Sequence, residues 1–302
     1  MSTVQPSVSG TVQQYVNDKA IYNDVDSRYN LHDIADLGMS PEYFQAVTER
    51  SRSVACLILK TAITAENGNY HLFDQSTLVA QIGLKPDQRF ANEPAPGYGT
   101  AFLISPKLMV TAAHCFCKKG SDEINNEKMK NSYVVFDFRM NSTGCTVDFP
   151  KETVYTIERI VAHKWMRGSK WSDWAVFELN GEVRDRKPLT LDFTNIVKLK
   201  TPLYMIGHPV GLPEKYTEGA EVKDCNHADY FETDLDAFGG NSGSPVFHQV
   251  YHSVVGILIS GNKDFDPGKI VHHVTNEEIA KKGFEKCQKI SVCAEIKNIL
   301  NT

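Results

Sequence analysis

The sequence predicts an all-β protein, built as a sandwich or a barrel, with an N-terminal extension and a C-terminal amphipathic helix. From Val54 onward, short β-rich runs alternate with Gly, Pro, Asn and Asp, and no helical pattern separates them before residue 275. This arrangement favours antiparallel strands over a parallel α/β sheet. The first 50 or so residues are polar by comparison, and the last segment shows a helical repeat of apolar residues.

The bulk composition is that of a soluble globular protein. Of 302 residues, 23% are charged and 41% hydrophobic, which excludes a disordered chain. The net charge of −5 indicates neither a nucleic acid nor a membrane partner. The first 20 residues lack the basic start and apolar core of a secretory signal peptide. We therefore expect a cytoplasmic protein, or one exported by a leaderless route.

The N-terminal extension, residues 1–52, contains one predicted helix. Ser40 is a suitable N-cap and Pro41 fits the first turn, so a short helix should run to about Glu49. The strands that follow are expected in nine runs: Val54–Leu59, Ala101–Ile104, Lys107–Thr111, Tyr133–Phe138, Val154–Val161, Ala175–Leu179, Leu203–Ile206, Ser244–Phe247 and Ser253–Ile259.

The C-terminal segment, residues 275–302, is predicted as an amphipathic helix that packs on its own domain. Thr275 and Glu278 resemble a capping box. Apolar residues then recur at steps of three or four, apart from a gap around Gly283: Ile279, Cys287, Ile290, Cys293, Ile296 and Leu300.

Three segments together carry the residues of a nucleophilic hydrolase. His114 ends the run Met109 to His114, Asp173 precedes an apolar strand, and Ser242 lies in Gly-Gly-Asn-Ser-Gly. A serine hydroxyl needs a base within hydrogen-bond reach, and a carboxylate must orient that base. Histidine suits the role of the base because its pKa lies near neutral pH. The three residues occur in the order His, Asp, Ser within a β-rich part of the sequence, and this combination predicts a catalytic triad.

The glycines around Ser242 predict an oxyanion hole. Glycine permits positive φ, so the loop can direct two backbone N–H groups the same way. The amides of Gly240 and Ser242 are the natural pair.

These segments resemble the signature blocks of the trypsin-like, chymotrypsin-fold serine peptidases. Residues 239–247, together with Met205 to Pro209, resemble the bacterial branch that includes the glutamyl endopeptidases. The resemblance covers about 97–261. It implies two six-stranded antiparallel barrels, over 53–185 and 186–274, with the active site between them. It also implies peptide-bond hydrolysis through an acyl-enzyme, with protein or peptide substrates and no cofactor or metal.

The sequence also departs from that family. Trypsins pair the cysteine after the catalytic His with another, but Gly99 stands at the partner's position, so Cys115 is expected as a free thiol. Trypsins have an Asp before the catalytic Ser that binds a newly cut N-terminus, and here Asn241 takes its place. By analogy with the glutamyl enzymes, residues 1–20 form a candidate propeptide.

The specificity pocket is predicted from three residues. Asp236, six residues before Ser242, stands where basic-specific enzymes of the family hold their pocket Asp. If it points into the pocket, Arg or Lys at P1 follows from charge pairing; the alternative is that it faces solvent or caps a loop with Asp234. Leu258 replaces the histidine of the glutamyl enzymes, which argues against glutamate at P1. Gly261 would keep the mouth of the pocket open.

Other interpretations remain open. The chain could be a catalytically silent or regulatory peptide-binding protein on the same fold, or an esterase or acyltransferase that uses the same triad. Cys115 and Cys117 lack a second cysteine pair at zinc spacing, so thiols are favoured over a metal site. The oligomeric state does not follow from the sequence.

Overall fold

A computed structural model describes residues 27–84, 86, 88–194, 196–261 and 284–301. The proposed propeptide, 1–20, lies outside these residues. The helices are α1 (Pro41–Ser51), α2 (Leu78–Ile82), α3 (Asn126–Lys130) and α4 (Ala294–Leu300). The strands are β1 (Arg28–Asn30), β2 (Val54–Leu59), β3 (Ile63–Glu66), β4 (Asn69–Leu72), β5 (Gly97–Leu103), β6 (Leu108–Thr111), β7 (Ser132–Phe136), β8 (Met140–Asn141), β9 (Gly144–Cys145), β10 (Asp148–Pro150), β11 (Val154–Met166), β12 (Ser172–Leu179), β13 (Pro202–Gly207), β14 (Lys215–Asp224), β15 (Tyr230–Thr233), β16 (Pro245–His248), β17 (Val254–Ser260) and β18 (Glu285–Lys289).

Two closed antiparallel barrels of six strands form the body of the protein, as predicted. The first barrel runs β11-β12-β6-β5-β2-β7. The second runs β14-β13-β16-β17-β18-β15 and closes through the pairing of β14 with β15. Strand β1 adds to the outside of β14, with Arg28 opposite Thr217. Closure leaves few exposed strand edges, which would otherwise pair with other chains.

One hydrophobic cluster continues from the first barrel to the second. It includes Phe102 and Phe177 of the first barrel, and Tyr204 and Phe247 of the second. Burying a side chain of this size contributes about 1.5–3 kcal/mol. The barrels therefore pack on each other through apolar side chains, and this fixes the loops that face the cleft between them.

Helix α1 lies where the sequence predicts a helix. Ser40 Oγ accepts a hydrogen bond from the Tyr43 N–H at 3.2 Å, and Pro41 occupies the first turn. Tyr43 and Val47 are buried, and they belong to the cluster shared by the barrels. The extension is therefore part of the packed body from residue 27 onward.

The C-terminal prediction is wrong over residues 285–289. This segment is strand β18, between β17 and β15, so the second barrel extends to Lys289 instead of ending at 274. Helix α4 is present but covers only Ala294–Leu300. Residues 275–283, with the proposed capping box, lie outside the described residues. The apolar spacing is misleading because Cys287 faces the barrel core, while Ile290, Cys293 and Ile296 pack into the other cluster.

Among the described residues, no helix is both long and apolar enough to cross a membrane. Within the same ranges, no group of three or more His, Cys, Asp or Glu side chains is placed to hold a metal ion.

Candidate active site

The first barrel brings His114 and Asp173 together. His114 lies in a short 3-10 turn after β6, and Asp173 is the second residue of β12. Asp173 Oδ2 lies 2.7 Å from His114 Nδ1, and Oδ1 accepts the His114 backbone N–H at 3.0 Å. Asp173 is fully buried, so both of its oxygens act on one histidine. Such a carboxylate fixes the tautomer and the orientation of the ring.

Two further side chains contact Asp173, and the sequence analysis missed both. Gln288 of β18 accepts the Asp173 backbone N–H through Oε1 at 3.1 Å, which links the acid to the second barrel. Arg167 Nη2 lies 3.8 Å from Asp173 Oδ2, and its side chain is 42% exposed. Neither residue belongs to a motif, so only the fold could have revealed them.

The second barrel places Ser242 beside the histidine loop. The Ser242 carbonyl accepts the Thr100 N–H at 2.9 Å and lies 3.7 Å from Cys115 Sγ, the residue after His114. Gly243 has φ +90°, and a Cβ there would lie 2.1 Å from the Thr100 carbonyl oxygen. Only glycine allows this approach of the Ser242 loop to the first barrel. His114 and Ser242 are both partly exposed, so solvent reaches both residues.

Among the described residues, the His114 ring has a hydrogen bond only with Asp173. The structure therefore contains no hydrogen bond between His114 Nε2 and Ser242 Oγ. Bonds of this kind are often long without substrate and tighten in the substrate complex. The structure therefore places the loop of Ser242 beside the loop of His114, and of the two contacts predicted for a triad it contains the one between His114 and Asp173.

The backbone at Gly240 has a conformation that favours glycine. Gly240 has φ +90°, and a Cβ there would lie 2.7 Å from the Val210 backbone nitrogen. Its carbonyl accepts Thr100 Oγ1 at 3.3 Å. In the described part of the chain, the amides of Gly240 and Ser242 donate no hydrogen bond to a protein acceptor. Two amides held in this way can stabilise an oxyanion without reorganisation.

All seven cysteines are free thiols, as predicted for Cys115. Burial raises the pKa of Cys115 to about 12. The neutral thiol is therefore the form beside His114, and a competing thiolate nucleophile is not expected there at neutral pH.

The three predicted pocket residues have different surroundings. Asp236 Oδ2 accepts the Ser27 N–H at 3.0 Å and lies 3.6 Å from Arg28 Nε. The Leu258 side chain packs in the core of the second barrel, so only its backbone can face a substrate. The role of Gly261 at the mouth of the pocket stays a prediction; a Cβ there would lie 2.1 Å from Glu285 Oε2, so the Glu285 carboxylate lies directly against this glycine.

Glu285 is thus a pocket candidate that the sequence analysis missed. It lies on β18 opposite Thr233, and the residue is 8% exposed. The sequence pattern assigned this segment to a helix, which hid its position beside Gly261.

Aromatic and basic side chains form a cluster next to Asp173. Trp171 and Tyr230 have ring centroids 5.3 Å apart, although they come from different barrels. Lys286 Nζ lies 4.7 Å from the Trp171 ring, and the Arg167 guanidinium 5.4 Å from it.

A family model of the trypsin-like peptidase domain matches residues 99–257, which is more than half of the chain. The protein belongs to the trypsin-like peptidase family. This assignment confirms the family predicted from the three motifs, and the matched range contains His114, Asp173 and Ser242. A comparison with curated proteins finds no significant match.

Solved structures show the same fold at low identity. The VesB protease of Vibrio cholerae has a TM-score of 0.51 and 13% identity, over 82% of this chain and 63% of that one. A Glu endopeptidase has a TM-score of 0.51 and 14% identity, over 91% and 96%. A scabies mite inactivated protease paralogue has a TM-score of 0.51 and 14% identity, over 85% and 97%. The peptidase thus spans about 63% of the length of VesB, and these likenesses support the fold alone.

Proposed function

We propose that this trypsin-like peptidase is a serine endopeptidase that cleaves protein or peptide substrates through an acyl-enzyme. The 2.7 Å contact between His114 Nδ1 and Asp173 Oδ2 carries the proposal, because it prepares the histidine to accept a proton at Nε2. The Ser242 hydroxyl then attacks the scissile carbonyl carbon and gives its proton to Nε2. The oxyanion forms where the Gly240 and Ser242 amides point.

The second half of the reaction uses the same groups in reverse. The protonated His114 gives its proton to the leaving amine as the C–N bond breaks, which leaves the acyl group on Ser242 Oγ. Water enters and loses a proton to His114, and its oxygen attacks the acyl carbon. The ester bond breaks, the proton returns to Ser242, and the carboxylic acid product leaves. No metal or redox partner is required for this balance.

A fluorophosphonate probe tests the chemistry directly. We expect the wild-type protein to be labelled covalently at Ser242, with loss of labelling in Ser242→Ala and full labelling in Ser76→Ala, where the serine lies outside the cleft. Mass spectrometry of the labelled peptide identifies the residue. A wild-type protein that is folded, binds peptides and stays unlabelled would support the alternative, a catalytically silent peptide-binding protein on this fold.

We further propose that Arg or Lys is preferred at P1, with Glu285 as the main acidic contact. Arg28 Nε lies 3.6 Å from Asp236 Oδ2 and offsets part of its charge. The Glu285 carboxylate lies against Gly261, at the predicted mouth of the pocket. A charged hydrogen bond to P1 contributes about 1.5–3 kcal/mol. Peptide-library cleavage should therefore show that Glu285→Gln lowers the preference for Arg and Lys by about tenfold or more, and that Asp236→Asn lowers it less. A larger effect of Asp236→Asn than of Glu285→Gln would make Asp236 the main acidic contact. A wild-type cleavage profile without preference for Arg or Lys at P1 would refute this part of the proposal.

A further inference from the structure

Strand β12 carries Asp173 at a point where one of its neighbouring strands has ended. On one edge, β6 pairs with β12 from Ala175 to Glu178, and the chain then turns to bring His114 back to Asp173. On the other edge, Asp173 pairs with Trp165 of β11. The turn that makes the contact between histidine and acid therefore also ends the β6 ladder just before the acid.

Two residues of the second barrel supply acceptors on this edge of β12. The Asp173 N–H donates to Gln288 Oε1 at 3.1 Å, and the Trp171 N–H donates to Asp229 Oδ2 at 2.9 Å. The two donors are two positions apart, as are successive donors on one edge of a strand. A buried N–H group without an acceptor destabilises the folded state, so these contacts take the place of a strand partner.

The amide of Gln288 is held at both ends. Its Nε2 donates to the Asp229 carbonyl at 2.8 Å, while Oε1 accepts from Asp173. Only the nitrogen of a carboxamide donates and only its oxygen accepts, so these two partners fix the direction of the amide. Gln288 is 1% exposed. The side chain is therefore a fixed contact between the two barrels.

Strand β18 connects Gln288 to the loop of Ser242. The residue before it, Cys287, lies opposite Leu258 of β17. The Leu258 carbonyl accepts the N–H of Gly243, the residue after Ser242, at 2.8 Å. Two paired strands and one side chain thus join the acid of the first barrel to the Ser242 loop of the second.

The contacts of Asp173 with His114 leave little room for displacement. The two carboxylate oxygens lie 2.7 Å from His114 Nδ1 and 3.0 Å from the His114 backbone nitrogen. Hydrogen bonds of this kind have lengths of about 2.7–3.2 Å, so a shift of Asp173 by about 1 Å would weaken both. Misplacement on this scale can lower the rate of an enzyme by about 100-fold.

We propose that Gln288 is a positioning residue for Asp173. It holds the Asp173 backbone against the second barrel, so that the carboxylate keeps both contacts with His114 while Ser242 is held in the neighbouring loop. This inference rests on the proposed function, because the position of Asp173 affects the rate only if His114 acts as the base.

The test compares Gln288→Met with Lys289→Met in the full chain. Gln288→Met keeps the length of the side chain and removes both of its amide contacts. Lys289→Met is the matched control on the same strand: Lys289 is 7% exposed, and its Nζ donates to the Cys225 and His227 carbonyls at 3.0 and 2.6 Å. It therefore also removes two contacts of β18, but none with Asp173.

Both variants should lower the midpoint of thermal unfolding, because each leaves backbone groups without a partner. Only Gln288→Met should lower kcat and the rate of fluorophosphonate labelling, by about ten- to a hundredfold. KM should stay close to that of the wild type, since Gln288 is buried.

Two further variants separate positioning from folding. Gln288→Asn keeps a buried amide but is one methylene shorter, so it should fold and still lower kcat by about tenfold. Asp173→Ala removes the side chain through which Gln288 acts. In that background, Gln288→Met should change the residual kcat by less than about twofold, because residues that act as a unit are not additive.

The outcomes distinguish the two proposals. A wild-type protein that is not labelled at Ser242 would refute the proposed function. If the wild type is labelled, a Gln288→Asn variant with the wild-type kcat would refute the role of Gln288 alone, whether or not Gln288→Met folds. Equal losses of kcat in Gln288→Met and Lys289→Met, or a loss in Gln288→Met that persists in the Asp173→Ala background, would assign Gln288 to folding and overturn the inference.

Discussion

Replacing Asp173 by Asn keeps the size of the side chain but converts one of its two acceptor oxygens into a donor. In the wild type, Oδ1 accepts the His114 backbone N–H at 3.0 Å, and Oδ2 faces His114 Nδ1 at 2.7 Å. If the amide oxygen stays with the backbone N–H, the new NH₂ group donates to Nδ1. The imidazole proton is then driven to Nε2, the nitrogen that must accept the proton of Ser242.

The magnitude follows from the loss of the general base. In related serine proteases the corresponding change lowers kcat by about 10⁴-fold, which corresponds to about 5.5 kcal/mol of transition-state stabilisation. Removing the buried charge also deprives Arg167 of its contact at 3.8 Å, but this side chain is 42% exposed and can turn to solvent. We therefore expect KM and the unfolding midpoint to remain close to those of the wild type.

The assay is the initial rate of cleavage of a library-selected peptide, together with the rate of fluorophosphonate labelling. Asp148→Asn is the matched control, because Asp148 Oδ1 also lies 2.7 Å from a histidine, His71 Nδ1, on an exposed part of the surface. Its kcat should equal that of the wild type. An Asp173→Asn variant that retains kcat within about tenfold, on the scale of the expected 10⁴-fold loss, would refute the assigned roles of both triad residues.

Three further predictions concern stability. Burial raises the pKa of Glu214 from 4.5 to about 8. The protonated side chain therefore makes its full contribution to the free energy of unfolding below pH 4.5, the pKa in the unfolded chain, and this contribution is lost as the pH rises through about 8. Glu214→Gln should raise the free energy of unfolding at high pH by up to about 5 kcal/mol and flatten the pH profile, measured by urea denaturation; an unchanged profile would contradict this. Gly243→Ala places a Cβ 2.2 Å from Thr111 Oγ1 and should lower that free energy by about 2–4 kcal/mol and abolish labelling; normal labelling would show that the loop can relax. Ser40→Ala removes the cap bond to the Tyr43 N–H and should cost about 1 kcal/mol in the same assay without changing kcat.

The sequence patterns predicted the first barrel better than the second. Strand β2 has the bounds that were predicted, and the other five runs predicted for this barrel lie on β5, β6, β7, β11 and β12, with shifts of a few residues at their ends. The buried residues of these strands are mostly apolar, so their pattern is local and clear. The same locality explains why His114, Asp173 and Ser242 could be selected from short motifs alone.

Three strands of the second barrel, β14, β15 and β18, were missed because buried polar residues hide their pattern. Lys215 of β14 is 1% exposed, and its ammonium lies 2.6 Å from Glu93 Oε2. Gln288 of β18 is 1% exposed and bonds to the backbones of Asp173 and Asp229. Each of these polar groups is satisfied by a partner distant in sequence. A pattern that counts apolar residues cannot register such partners.

The same physical reason explains why the sequence predicts the reaction better than the substrate specificity. Short segments of sequence can supply a nucleophile, a base and two backbone amides. The reaction class can therefore be predicted from local motifs. The charge of the predicted pocket depends instead on pairings between distant segments. Asp236 alone suggests a basic P1 residue, yet Arg28 lies 3.6 Å from its carboxylate, and Glu285 approaches Gly261 from β18. We therefore expect the preferred substrate to depend on side chains that only the closed second barrel and its added strand bring together, and Glu285→Gln compared with Asp236→Asn measures how much each carboxylate contributes.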